Sequence, residues 1–178
     1  MHRLFVALDF PEVIKERLSS LCCGLPGARW VTPEHMHLTL RFIGEVDSSV
    51  YRSVRETLTE VCYSPFTLRL EGVGFFPPRG KPRVVWAGIT RSEELVQLRN
   101  RVESILVKTG LAPEGRKYSP HITLARLKNT PGSKVGSFLS YNSFFRTDAF
   151  QLTSFMLYSS VLNSRGAKHY IEEVYPLH

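Results

Sequence analysis

His37-Leu38-Thr39-Leu40 and His121-Ile122-Thr123-Leu124 are two copies of one pattern, His-x-Thr-aliphatic, in a chain of 178 residues. Each alternates polar and aliphatic residues, the period of a half-buried strand. On a regular strand His37 and Thr39 share one face, with Leu38, Leu40 and Phe42 on the other. His121 and Thr123 stand likewise against Ile122 and Leu124. An imidazole and a hydroxyl then lie side by side, roughly 7 Å apart at their backbones, on an element anchored by its apolar face. One histidine on a polar strand face is ordinarily just solvated. With six histidines and eleven threonines in the chain, chance would supply both copies in on the order of one chain in a few hundred. The repetition therefore points to shared function or internal duplication. Two imidazoles and two hydroxyls are enough to hold a phosphate and to carry out acid–base chemistry on both its sides.

The composition, 43% hydrophobic with no long apolar run, is that of a soluble globular protein, expected as a single bilobal domain over 1–178. Met1-His2-Arg3 leads into Leu4-Phe5-Val6-Ala7-Leu8 and then Asp9, too short an apolar stretch for a signal peptide. The expected location is cytoplasmic, without membrane contact. Cys22, Cys23 and Cys62 lack zinc spacing and read as reduced thiols. A net charge of +7 favours an anionic partner, nucleic acid ahead of a membrane surface. The densest basic clusters, Arg79-Gly80-Lys81-Pro82-Arg83 and Arg116-Lys117, sit beside Gly or Pro and read as loops.

Strands are expected at Arg3–Phe10, Arg29–Val31, His37–Ile43, Phe66–Phe76, Val84–Ile89, His121–Leu127, Ala149–Leu162 and His169–Tyr175. Helices are expected from Pro11, from Ser48 under an Asp47 or Ser48 cap, from a Ser92 cap to Gly110, and around Val135–Leu139. Phe66–Phe76 with Val84–Ile89, and the last two strands across Asn163-Ser164-Arg165-Gly166, read as hairpins. The fold class that follows is α+β. Two similar lobes, each an antiparallel sheet with helices on its outer side, would face each other across a central cleft with pseudo-two-fold symmetry.

The chain resembles the 2H (two-histidine) phosphoesterases, and within them the RNA 2′,3′-cyclic phosphodiesterases, also called 2′-5′ RNA ligases. The likeness rests on Arg3–Leu8, Trp30, His37–Gly44 and Pro65-Phe66. It continues through Gly74-Phe75-Phe76-Pro77, Val84–Gly88, Pro120–Arg126, Leu157–Ser160, Gly166-Ala167 and Tyr170. It implies hydrolysis of a 2′,3′-cyclic phosphate at an RNA end to a 2′-phosphate without cofactor or metal, and reversible 2′-5′ joining in some members. It further implies His37 as general acid, His121 as general base, Thr39 and Thr123 as phosphate-binding, and Arg126 as an arginine that helps hold the phosphate. RNA ends are the implied partner, and the protein is expected to act as a monomer.

The chemistry agrees. Cyclic phosphate hydrolysis needs water deprotonated on one side of phosphorus and the departing ribose oxygen protonated on the other. Histidine, with an ordinary pKa near 6.5, serves either role near neutrality. The residues alone do not say which histidine is the acid. Arg126 has the parity of Ile122 and Leu124, so it reaches a phosphate beside His121 only if the strand twists or bulges after Leu124, or if it reaches round the edge. Arg41 has the parity of His37 and is a further candidate contact. Tyr118, Trp30 and Phe76 are candidates for stacking on a base. Three rival readings remain. One is a metal centre on His35 and His37 with His121 or His169. Another is a non-catalytic RNA-binding module. The third is a two-histidine enzyme acting on 2′-5′ oligonucleotides or a small cyclic nucleotide.

Overall fold

Side-chain caps start two of the four α-helices. The Asp47 carboxylate accepts the Ser49 and Val50 N–H groups and starts one helix; the Ser92 hydroxyl accepts the Leu95 N–H and starts another. The computed structural model describes all residues, Met1–His178. In order they form β1 (His2–Leu8), α1 (Glu12–Ser19), β2 (Ala28–Trp30), β3 (Leu38–Val46), α2 (Ser48–Thr57), β4 (Phe66–Leu68) and β5 (Leu70–Phe76). There follow β6 (Val84–Ile89), α3 (Glu93–Lys108), β7 (Ile122–Leu127), α4 (Gly132–Tyr141), β8 (Phe150–Leu152), β9 (Ser154–Asn163) and β10 (Gly166–Pro176).

The architecture is α+β, with two four-stranded antiparallel sheets ordered β10-β9-β1-β3 and β2-β7-β6-β5. The lobes are not the two halves of the sequence. The first sheet combines both ends of the chain; the second takes β5, β6 and β7 from the middle and adds β2, which lies between β1 and β3 in sequence. Two expected long strands are each broken. The stretch 66–76 divides at Arg69 and 149–162 divides at Thr153, because β4 and β8 leave the large sheets and pair with each other. A continuous core of 37 buried residues joins the apolar faces of both sheets, Leu38 and Leu40 from β3 and Ile122 and Leu124 from β7, to Ile14 and Leu18 of α1 and Leu95, Leu98, Val102 and Leu106 of α3.

Both motif strands carry a β-bulge at the same place. In β3, Ala7 of β1 faces Thr39 and Val6 faces Arg41, which leaves Leu40 as the extra residue. In β7, Trp86 of β6 faces Thr123 and Val85 faces Ala125, which leaves Leu124 extra. An extra residue inverts the alternation beyond it. Arg41 and Ala125 therefore turn inward and are buried, while Phe42 and Arg126 turn outward and are exposed.

Candidate active site

His37 and His121 each sit one residue ahead of their strands, where the ladder no longer fixes the backbone but the following Leu38 and Ile122 are fully buried. Each imidazole rests on aromatic side chains. The first lies 4.9 Å from the Phe5 ring, 6.0 Å from Tyr158 and 5.3 Å from His169. Phe5 and Tyr158 are themselves stacked at 5.0 Å and form with Ala7 a small buried cluster separate from the main core. The ring of His37 keeps some open surface, but this apolar floor removes most of its water. Burial first, and the neighbouring His169 second, push its pKa down to about 4, with the main chain at His35 acting weakly the other way. His169 is depressed as well, by burial and by His35.

The second imidazole meets Phe76 edge-on at 4.9 Å, with Trp86 at 6.4 Å. Its Nδ1 lies 2.8 Å from the Ser119 carbonyl. A ring nitrogen that close to a carbonyl oxygen must carry the hydrogen, so Nε2 is left free for chemistry. Trp86 lies directly across Gly74 of β5, where a Cβ would approach the indole to 2.2 Å. Gly74 thus gives the indole room beside His121.

Thr39 and Thr123 are half-buried on the same strand faces as their histidines. Arg126, exposed, occupies a row with Phe76, Val84 and Arg29 that runs across β5, β6, β7 and β2 in register. The bulge at Leu124 supplies the inversion that regular parity denied it. Arg41 is the opposite case and does not face the site. It is 8% exposed and paired with Glu103, and it donates to the Phe42 carbonyl and, at 2.6 Å, to the Ala112 carbonyl. Glu103 also accepts the Glu114 N–H at 2.7 Å. Arg41 therefore staples the segment leading to β7 onto β3.

Two of the three stacking candidates also lie elsewhere. Trp30 pairs with Ala125, shares its inward face and packs 6.0 Å from Phe138. Tyr118 packs on the core with Arg99 over its ring, and its hydroxyl donates to the Thr39 carbonyl at 3.0 Å. It ties the residues just before His121 to the first motif strand. Phe76 alone of the three sits at the site. Sequence reasoning overlooked Phe5, Tyr158 and Trp86. Only Trp86 carried a signal, since it alternates with the buried Val85 and Ala87.

His35, His37 and His169 do cluster, with His35 and His169 ring centroids 4.9 Å apart, but no three His, Cys, Asp or Glu side chains are arranged to hold a metal ion. No helix is long and apolar enough to cross a membrane.

A family model described as the 2′-5′ RNA ligase superfamily matches residues 10–150. An RNA 2′,3′-cyclic phosphodiesterase of Archaeoglobus fulgidus is 35% identical over 167 residues, covering 92% of this chain and 94% of the relative. One of Aquifex aeolicus is 30% identical, covering 94% and 89%. The crystal structure of E. coli LigT complexed with 3′-AMP superposes with a TM-score of 0.79 at 27% identity, covering 99% of this chain and 98% of that one.

Proposed function

This chain belongs to the 2′-5′ RNA ligase superfamily, and on that premise we propose how it hydrolyses a 2′,3′-cyclic phosphate at an RNA end. The observation that carries the mechanism is the doubled geometry: two His-x-Thr copies, each on an aromatic support, each followed by the same bulge, and tied together through the Tyr118 hydroxyl and the Thr39 carbonyl. The cyclic phosphate lies between the imidazoles, with its non-bridging oxygens on the Thr39 and Thr123 hydroxyls and the Arg126 guanidinium. His121, with Nδ1–H held by Ser119, takes a proton from water at Nε2. The water oxygen attacks phosphorus, the bond to the ribose 3′ oxygen breaks, and His37 protonates that oxygen. The product is a 2′-phosphomonoester. The same groups acting in the same direction, with a 5′-hydroxyl in place of water as the nucleophile, would form a 2′-5′ linkage and free the 3′-hydroxyl.

The depressed pKa of His37 refines this scheme. In the free protein near neutral pH its imidazole is uncharged, so it can act as an acid only after an anionic phosphate beside it has offset the cost of burial. The two strained P–O bonds of the ring and two positioned imidazoles supply the reaction without a metal or cofactor. The scheme needs one bilobal domain acting as a monomer, and no disulfide joins Cys22, Cys23 or Cys62.

The test is an oligonucleotide with a 2′,3′-cyclic end, incubated with the protein in EDTA, followed by identification of the phosphomonoester. Hydrolysis to the 2′-phosphate is expected, with His37→Ala and His121→Ala each slowing it by about 10²–10⁴. A 3′-phosphate product, or strict dependence on an added divalent ion, would overturn the scheme.

A further inference from the structure

The basic loop Arg79-Gly80-Lys81-Pro82-Arg83 has no part in the scheme above. It joins β5 to β6, and Arg79, Lys81 and Arg83, with Phe76, Pro77 and Val84, line an open groove of about 520 Å³. No carboxylate lines that groove, and none of its three cations takes part in an ion pair. Lys81 Nζ donates only to Asn129 Oδ1, at 2.8 Å, just beyond the end of β7. The groove adjoins the site, since Phe76 lines it and also packs edge-on against His121. Val84, a second lining residue, pairs in register with Arg126.

We propose that this groove binds the phosphodiester backbone of the RNA on the 5′ side of the reacting end. The inference rests on the hydrolysis reading and extends it to substrate length. A terminal ribose whose cyclic phosphate lies at His121 remains joined to the rest of its chain through its 5′ oxygen. Passage over Phe76 leads that chain into a channel of uncompensated positive charge with an aromatic wall at its mouth, the combination that suits a single strand rather than a neutral or cationic ligand. The enzyme accordingly prefers an oligonucleotide to a cyclic mononucleotide with the same end.

The triple variant Arg79→Gln, Lys81→Gln, Arg83→Gln changes only exposed side chains outside the catalytic groups. On a 2′,3′-cyclic mononucleotide its kcat/KM should equal that of the parent. On an eight-nucleotide single strand with the same cyclic end it should fall about 10- to 100-fold at low salt. Each phosphate neutralised contributes a slope of about −0.7 in a log–log salt plot, so losing three contacts should make the slope shallower by about 2. Fluorescence anisotropy of a labelled eight-nucleotide strand ending in a 2′-phosphate should show the same loss of affinity without turnover. Equal oligonucleotide kinetics and equal anisotropy in parent and variant, at every salt concentration, would overturn the proposal. If the parent hydrolysed neither substrate, the hydrolysis reading would fail, and the anisotropy comparison would still decide the groove.

Discussion

Acidification should leave His37 uncharged until the pH approaches 4, and folding stability should register this. In an unfolded chain the imidazole titrates near 6.5, while in the folded protein the floor of Phe5 and Tyr158, with His169 alongside, holds it at about 4. The gap corresponds to about 3 kcal/mol. The sign follows from where the proton goes. Above pH 6.5 the group is neutral in both states and contributes nothing to pH dependence. Between 6.5 and 4 the unfolded chain takes up the proton and the folded one does not, so stability declines as pH falls and levels off below 4. Urea unfolding of the parent and of His37→Gln, each at pH 7 and pH 4, isolates this share. The parent should lose about 3 kcal/mol more than the variant. The C2–H proton resonance of His37, assigned by its absence from the variant, should titrate near 4 in the free protein and at higher pH when inorganic phosphate is bound. A free-protein midpoint between 6 and 7, or the same pH dependence in both proteins, would refute the argument that the aromatic floor desolvates the ring.

Arg41→Ala should destabilise the fold by about 3–5 kcal/mol in urea unfolding, because it leaves Glu103, 15% exposed, without its cation. Arg126→Ala should do the reverse, lowering kcat/KM about 10- to 100-fold through one lost charged hydrogen bond while leaving the melting temperature unchanged, since its side chain is exposed. Gly74→Ala places a methyl 2.2 Å from the Trp86 ring. A shifted tryptophan emission, a fall in kcat and a loss of about 1–3 kcal/mol in stability are expected together; an unchanged emission would mean that the indole does not depend on that space.

The sequence by itself determined what depends on neighbours along the chain. The two His-x-Thr strands follow from alternation, the Asp47 and Ser92 caps from side-chain chemistry, and the two hairpins from turn residues between apolar runs. The resemblance carried by the motifs extended the reading to the family and its reaction. What only the tertiary structure decided is non-local. Whether Leu40 and Leu124 are bulged depends on the partner strands β1 and β6, and that one extra residue sends Arg41 into the core and Arg126 out of it, against the parity of an isolated strand. The separation of β4 from β5 and of β8 from β9, and the mixing of the sequence halves between lobes, are likewise choices of pairing partner. The proton state of His37 is set by Phe5, Tyr158 and His169, residues 32, 121 and 132 positions away that only folding brings to its ring. A sequence records which groups can titrate; desolvation, which sets where they titrate, exists only once the chain has packed around them.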